Sequence, residues 1–288
     1  MAEILDRMPR SPEAQRREQE ESIARSLARI RHKFLVMSGK GGVGKTSTAV
    51  NLAFALSERG RRVGLMDVDL HGPDVPRMLG LSGTPEVTPQ RKLSPLRVSE
   101  TLAAISMDSF LPGRDDAVIW RGPLKFSAIR QFIGDVEWGD LDFLIIDAPP
   151  GTGDEPLTVA QQVPDARAII VTTPQEVALA DVRKSINFCR TVKMEVFGLI
   201  ENMSGFHCPH CGRPVELFGS GGGERTCREM GIDFLGQVPL DPRMVDCADR
   251  GCCFLRTYPD SPVSAALGSI AERLLAAVEA ENRPPDAA

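Results

Sequence analysis

Residues 34–60 read FLVMSGKGGVGKTSTAVNLAFALSERG, and this stretch decides the fold. The apolar run over 34–38 predicts a buried strand. Residues 39–46 fit G-x-x-x-x-G-K-[ST] at every fixed position, and apolar residues at helical spacing follow them. In a strand, glycine-rich loop and helix of this kind, backbone N–H groups and the helix N-terminus surround a phosphate. The stretch therefore predicts a phosphate-binding loop at the carboxyl end of a strand.

The same alternation of strand and helix patterns continues along the chain. Apolar runs recur in RVGLMDVD (62–69), DFLIIDAPP (142–150), ARAIIVTTP (166–174) and EVFGLIENM (195–203). Apolar runs without polar alternation are typical of strands that are buried on both faces. Parallel strands need long crossover connections, which the helices between them supply. The sequence therefore predicts an α/β fold with a doubly wound, mostly parallel sheet.

One folded domain with short additions at both ends is expected. Residues 1–32 are predicted to form a polar helical arm, 33–282 the domain with the phosphate loop, and 283–288 a disordered tail. Two segments interrupt the alternation. Residues 79–116 are rich in Pro and Ser and are expected to cover part of the sheet, and residues 205–223 are glycine-rich and contain the CxxC of the chain.

Composition narrows the possible functions. The 288 residues contain 34 basic and 39 acidic side chains, which gives a net charge of −5 and a pI near 5.5. This balance argues against an electrostatic nucleic-acid binder. No apolar run is long enough to span a bilayer, and no signal peptide is apparent. We expect a soluble, cytoplasmic protein with neither nucleic acid nor membrane as a partner, whose seven cysteines are too sparse for a disulfide scaffold.

The phosphate loop supplies a cation and a hydroxyl at fixed positions. Lys45 is predicted to contact the β- and γ-phosphates of a nucleotide, and Thr46 to ligate Mg²⁺. Asp147 ends an apolar run at the position where a carboxylate coordinates Mg²⁺, usually through water. The alternatives are a glycine-rich turn that only packs the helix on the strand, and a carboxylate that only caps a turn.

Three further charged residues are candidates near this loop. Asp67 and Asp69 end the second strand, where a carboxylate could position the attacking water, and Asp69 is the better candidate because it lies further out. Lys40 adds a second cation inside the loop. It could turn inward or reach across a dimer interface to the partner's γ-phosphate. A solvated bystander is the third possibility for this lysine.

The segment 207–212, HCPHCG, carries two thiols with a turn between them. Cys208 and Cys211 supply two thiolate ligands, whereas a cubane cluster or a closed zinc site needs four. A twofold dimer would bring the same loop from each chain together. Three interpretations stay open: a shared [4Fe–4S] cluster, a structural zinc with His207 or His210 as a further ligand, and a redox-active dithiol pair.

GKGGVGKT with its additional lysine resembles the deviant Walker A class of dimeric P-loop ATPases, which includes MinD, ParA and the nitrogenase iron protein. Other stretches are similar to the iron–sulfur cluster carriers of the Mrp/ApbC type within that class. They are DVDLHGPDVPRMLG (67–80), VIWRGPLKFSAIRQF (118–132), DFLIIDAPPGTGD (142–154), IENMSGFHCPHCG (200–212), LFGSGGGERTCREMGIDFLGQVPLDPRM (217–244) and TYPDSP (257–262).

The resemblance implies an ATP-dependent homodimer with a P-loop NTPase fold like that of MinD and the nitrogenase iron protein. Such a dimer binds a bridging [4Fe–4S] cluster through Cys208 and Cys211, receives it from a cluster donor and passes it to apoproteins. Hydrolysis is expected to be slow and coupled to transfer. By likeness Lys40 acts across the dimer, Asp69 belongs to a first switch, and Asp147 with Gly151 belongs to a second.

The resemblance also implies the residues that contact ATP and Mg²⁺. Asn202 matches the position that recognises adenine, and Pro239 would flank the base. Thr46 and Asp147 would hold Mg²⁺. The phosphate contacts would come from Gly39, Lys40, Gly41, Gly42, Val43, Gly44, Lys45, Thr46 and Ser47.

One feature of the chain departs from the cluster-carrier pattern, and another argues against a rival class. The adjacent Cys252 and Cys253 lie outside the shared pattern, and packing is their expected role. The rival is a positioning ATPase of the MinD or ParA type with a structural zinc. Membrane-bound versions need a basic amphipathic C-terminal helix, whereas residues 269–288 contain two arginines against four acidic residues.

Overall fold

Nine strands form a single sheet in the computed structural model, which describes residues 12–69, 72–90, 92–110, 122–208 and 210–281. The strand order is β3-β4-β2-β5-β1-β6-β7-β8, and β9 pairs with β7 beside this path. The strands are β1 (Ile30–Ser38), β2 (Val63–Asp67), β3 (Leu96–Arg97), β4 (Leu102–Ser106), β5 (Leu141–Asp147), β6 (Arg167–Thr172), β7 (Val196–His207), β8 (Pro214–Val215) and β9 (Phe234–Leu240).

The sheet is mostly parallel, as the sequence predicts. β1 pairs in parallel with β5 and β6, β2 with β4 and β5, and β7 with β6 and β9. Only the short strands β3 and β8 pair in the antiparallel direction within the described residues. The carboxyl ends of the long strands therefore lie along one edge, where ligands bind in sheets of this kind.

Helices cover both faces of the sheet. They are α1 (Pro12–Ala28), α2 (Lys45–Ser57), α3 (Val75–Met78), α4 (Gly122–Asp135), α5 (Asp154–Gln162), α6 (Glu176–Thr191), α7 (Gly222–Met230), α8 (Arg243–Arg250), α9 (Phe254–Thr257) and α10 (Pro262–Glu281), with a 3₁₀ turn at Met107–Phe110. Together with the parallel sheet, these two helical layers confirm the predicted fold class.

The central strand β1 contributes to a separate apolar core on each face. Phe34 and Val36 pack in the core that contains α2 and α10. Leu35 and Met37 pack in the opposite core with α4, α5 and α6. All four side chains are fully buried. Alternate residues of an unbroken apolar strand thus serve opposite faces, which explains the absence of polar alternation in the sequence.

The N-terminal segment packs into the core of the folded domain, which a separate arm would not do. α1 forms as expected, but Ile23 and Leu27 are buried in the core beneath α4. Ser22 donates a hydrogen bond to the carbonyl of Gly134 at 2.8 Å. The first strand also begins at Ile30, before the predicted boundary at residue 33. Residues 283–288, the predicted tail, lie outside the described residues.

The segment 79–116 packs against the core through Leu79 and Leu81 and also extends the sheet. β4 pairs in parallel with β2 from Val63↔Leu102 to Asp67↔Ser106, and β3 forms the edge beyond it. The apolar run LAAIS supplies the buried strand. Residues 111–116 of this segment lie outside the described part of the chain. Among the described helices, none combines the length and the hydropathy that crossing a membrane requires.

Candidate functional site

The glycine-rich loop leaves β1 at Ser38 and enters α2 at Lys45. Gly44 adopts the left-handed conformation with φ 77°, and a Cβ atom there would overlap the amide of Asn202. A Cβ atom at Gly39 would lie 2.5 Å from the backbone carbon of Asp181 in α6. Both positions therefore need glycine: one for its backbone angle, and both because another element approaches closely.

Lys45, Thr46 and Asp147 form a compact polar cluster at the start of α2. Lys45 Nζ donates to Asp147 Oδ1 at 2.5 Å, and Thr46 Oγ1 donates to Asp147 Oδ2 at 2.7 Å. The side chains of Lys45 and Asp147 are 6% and 1% exposed. Burial raises the pKa of Asp147, although the nearby Lys45 opposes this shift. The hydroxyl and carboxylate oxygens that the sequence assigns to Mg²⁺ thus lie together, and they are ligands of the kind that this hard cation prefers.

Asp67 enters this cluster from the neighbouring strand. It is the register partner of Asp147 across β2 and β5 and is fully buried. Its carboxylate accepts hydrogen bonds from Ser106 Oγ at 3.0 Å and from the Asp69 N–H at 3.0 Å. Burial raises its pKa well above the usual range, and the charge of Asp147 adds to this effect. Asp67 therefore belongs to the centre of the site.

Asp69 and Gly151, the predicted switch residues, follow the ends of these two strands. Asp69 is buried, and its carboxylate accepts a hydrogen bond from the Gly72 N–H at 3.1 Å. Gly151, with φ 91°, donates its N–H to the carbonyl of Ser38 at 2.8 Å. Lys40 is half-buried in the loop itself. The structure therefore gathers all the predicted phosphate-side residues at one edge of the sheet.

Asn202 lies against the phosphate loop. Its amide donates to the carbonyl of Val43 at 2.9 Å, and it pairs with Val238 across β7 and β9. Pro239 follows Val238 in β9. Pro239 lines a cavity of about 490 Å³ that Cys208 also lines. The predicted base contacts thus lie between the phosphate loop and residues 205–220, the cysteine loop, which carries Cys208 and Cys211.

Cys208 and Cys211 lie in a hairpin that extends β7 beyond the body of the sheet. β8 pairs with the end of β7 through Phe206↔Val215. The turn is closed by Gly212, which has φ 67° and donates its N–H to the Cys208 carbonyl at 2.8 Å. Cys208 is half-buried and Cys211 is exposed. Hydrogen bonds from the backbone of His210 and Cys211 and from the Cys211 thiol lower the pKa of Cys208.

The other cysteines have a different environment. Burial raises the pKa of Cys189 and of Cys227 to about 12. Cys252 and Cys253 pack against the core, which agrees with the role expected of them. Across the residues that the structure describes, no group of three or more His, Cys, Asp or Glu side chains could hold a metal ion. The CxxC loop therefore offers a pair of accessible thiols and not a complete ligand set.

A family model described as ParA, NUBPL iron-transfer P-loop NTPase, matches residues 29–275. The chain belongs to this family. The match covers the phosphate loop (the P-loop, residues 39–46), the carboxylates of Asp67 and Asp147, and the cysteine loop in one continuous segment. The sequence-based assignment to the cluster carriers of the deviant Walker A class is thereby confirmed.

Curated relatives support the same assignment. The iron–sulfur cluster carrier protein of Saccharolobus solfataricus is 47% identical over 261 residues, which are 90% of this chain and 88% of the relative. The protein of the same name from Methanocaldococcus jannaschii is 44% identical over 266 residues, covering 92% of this chain and 91% of the relative.

Solved structures confirm the fold. A nucleotide-binding protein of Archaeoglobus fulgidus, solved in complex with ADP, has a TM-score of 0.72 and 38% identity over 81% of this chain and 92% of that chain. The cell division ATPase MinD of Pyrococcus furiosus has a TM-score of 0.64 and 22% identity, covering 85% of this chain and 99% of that chain. The second likeness concerns the fold alone.

Proposed function

We propose that this protein binds ATP at residues 39–47 and carries an iron–sulfur cluster between two copies of the chain for delivery to apoproteins. The observation that carries this proposal is the exposed CxxC hairpin at the end of β7. Cys208 and Cys211 are accessible there, just beyond the end of the strand whose Asn202 touches the P-loop. The names of the curated relatives and the family model support the same function.

Three side chains would bind the phosphates of ATP and the Mg²⁺ ion. Lys45 would exchange its Asp147 partner for the β- and γ-phosphates when ATP binds. Thr46 and Asp147 would hold Mg²⁺, since their oxygens already lie 2.7 Å apart. When bound, the ion would neutralise charge on these phosphates. The remaining phosphate contacts would come from the backbone N–H groups of the loop.

Two further residues would act in hydrolysis. Asp69 would position the attacking water, since it follows β2 next to the cluster of Lys45 and Asp147. Lys40 would reach the nucleotide of the partner chain and neutralise charge there, as an arginine finger does. Asn202 and Pro239 would contact the base. Hydrolysis would be slow and coupled to cluster transfer.

The cluster would be held by four thiolates, two from each chain. A cubane [4Fe–4S] cluster takes four cysteine ligands, and each hairpin offers Cys208 and Cys211. A twofold axis through the cluster would satisfy this requirement without any further ligand. The cluster would therefore be cargo that both chains share, and its release would follow from separating or turning the two hairpins.

The experiment is anaerobic reconstitution followed by iron and sulfide analysis. We expect about four irons per dimer for the wild type and none above background for Cys208→Ala/Cys211→Ala. Cys252→Ala/Cys253→Ala is the matched control and should keep the wild-type content. Iron retained by the first double variant, or zinc in place of iron, would overturn the proposal.

A further inference from the structure

Glu201 is a fully buried carboxylate near the middle of β7. It follows the apolar run FGLI and stands between β6 and β9, paired with Thr172 on one side and Gln237 on the other. A carboxylate removed from water needs hydrogen bonds to its oxygens. The groups that donate hydrogen bonds to the Glu201 carboxylate therefore indicate what this residue does in the fold.

Four neutral groups donate to this carboxylate. Oε1 accepts from Ser204 Oγ at 2.6 Å, from the Gly221 N–H at 2.8 Å and from Gln237 Nε2 at 3.2 Å. Oε2 accepts from the Gly223 N–H at 2.5 Å. Two of these donors are backbone groups at the start of α7, where the helix dipole also favours a negative charge.

Three of these donors, Ser204, Gly221 and Gly223, lie at the two ends of one loop. Ser204 immediately precedes residues 205–220, and Gly221 immediately follows them. This loop carries Cys208 and Cys211. Glu201 therefore closes the base of the cysteine loop, and the extended β7–β8 hairpin projects from that closure.

The residues that follow the loop pack closely against their neighbours. A Cβ atom at Gly223 would lie 3.0 Å from Glu201 Oε2, and one at Gly222 would lie 2.6 Å from Leu179 Cδ1 in α6. Gly221 adopts φ 78°. At this end of the loop the backbone itself meets the carboxylate, and this explains the run of glycines there.

The next residue along the strand contacts the P-loop. Asn202 donates to the Val43 carbonyl and closely approaches Gly44. Met203 then adopts φ 56°, a left-handed conformation that non-glycine residues rarely take. Adjacent residues of β7 therefore hold the P-loop and the base of the cysteine loop.

We propose that Glu201 is a positioning residue that fixes the cysteine loop on β7 and links its position to the nucleotide state of the P-loop. A shift of the P-loop would reach Asn202 directly, and Glu201 would carry it to both ends of the loop. This inference rests on the proposed function, because it takes Cys208 and Cys211 as the cluster ligands.

The test compares Glu201→Gln with Glu216→Gln, an exposed position in the same loop. The glutamine keeps the size of Glu201 but removes its charge and turns one acceptor into a donor that faces other donors. Reconstituted proteins are mixed with an iron chelator, with and without Mg-ATP, and the rate of cluster loss is followed by absorbance. ADP affinity and the thermal unfolding midpoint are measured alongside.

We expect Glu201→Gln to bind ADP like the wild type but to lose its cluster about tenfold faster, as the loss of a hydrogen bond to a charged group predicts. The effect of ATP on that rate should shrink in Glu201→Gln and persist in Glu216→Gln. A merely structural role would lower the unfolding midpoint and leave the ATP effect unchanged, and that result would overturn the inference.

Ser204→Ala covers the case in which Glu201→Gln does not fold. It removes one donor to the carboxylate and should accelerate cluster loss in the same direction by a smaller factor. A wild-type rate in Ser204→Ala would then overturn the inference. A wild-type protein that takes up no iron at all would overturn the proposed function and this inference with it.

Discussion

At the scale of single residues, the charge of Lys45 compensates two buried carboxylates. It contacts Asp147 directly, and its charge also lowers the pKa of Asp67 against the larger effect of burial. Both residues are buried. Such a group of charges is stable only while its members compensate one another. The site therefore depends on Lys45 for stability as well as for the phosphate contact proposed above.

Lys45→Met should destabilise the nucleotide-free protein. Removing the cation leaves Asp147 without its partner, and breaking a buried ion pair typically costs about 3 kcal/mol. Urea denaturation measures the free energy of unfolding. Lys184→Met is the matched control, since that lysine is 76% exposed and pairs with Asp181 on the surface. Equal unfolding midpoints for the two variants would contradict the compensating role of Lys45.

Asp67 should make stability depend on pH in a defined direction. Its pKa in the folded protein is raised above the ordinary value of 3.8, so the folded state holds a proton that the unfolded chain releases. The stability it contributes is complete below the unfolded pKa and is lost as the pH rises through the folded pKa.

Asp67→Asn has no carboxyl group to ionise at this position, so it does not undergo this loss of stability as the pH rises. The free energy of unfolding of the variant should gain on that of the wild type as the pH rises from the ordinary pKa of 3.8 through the raised pKa, by about 1.4 kcal/mol for each unit by which the folded pKa is raised. Urea denaturation across that range measures the difference. A difference that stays constant with pH would show that Asp67 has the same pKa in both states.

At the scale of elements, the P-loop is shaped by both its own glycines and strand β7. Gly42 and Gly44 have similar backbone angles, φ 79° and 77°. A Cβ atom at Gly42 would have nothing within 4 Å, whereas one at Gly44 would meet Asn202. Alanine substitutions at the two positions therefore distinguish the cost of the left-handed backbone angle from the cost of disturbing the contact with β7.

Gly42→Ala should cost about 1–2 kcal/mol, the penalty for a left-handed alanine. Gly44→Ala should cost more than this, because Asn202 must leave the Val43 carbonyl. Urea denaturation measures both. Equal losses in the two variants would mean that Asn202 moves aside without penalty, and the link between β7 and the P-loop would be weaker than the structure indicates.

Elements that depend on neighbouring residues in the sequence could be predicted, whereas their packing against distant segments could not. The strand, loop and helix around Lys45 were predictable because the motif and the apolar periodicity coincide. The apolar run LAAIS of β4 is typical of a strand, but its place beside β2 could not be predicted, because strand order depends on packing between distant segments. The burial of Ile23 beneath α4 escaped prediction for the same reason, since α1 is otherwise polar and charged.

Within the site, the sequence predicts the residues that belong to motifs but not the residues that hold those motifs in place. Lys45, Thr46, Asp147, Cys208 and Cys211 follow from spacing. Glu201 does not, although an acidic residue directly after a buried apolar run was an available signal. Its donors include backbone N–H groups across the loop, and only the folded chain brings them together.

At the scale of the whole molecule, the parallel sheet places both candidate sites on one edge. The P-loop follows β1, the carboxylates end β2 and β5, and the cysteine hairpin extends β7. Carboxyl ends of parallel strands share an edge by construction. A nucleotide and a metal cluster bound by one chain would therefore be neighbours, with β7 between them.

The most direct test is native mass spectrometry of the protein reconstituted without oxygen. We predict a species of twice the 31.3 kDa chain mass with about four iron and four sulfide atoms, together with monomers that carry none. Cys208→Ala/Cys211→Ala should yield no cluster-bearing species. A cluster on a single chain, or a zinc ion in its place, would contradict the central claim that two copies share one cluster through their cysteine loops.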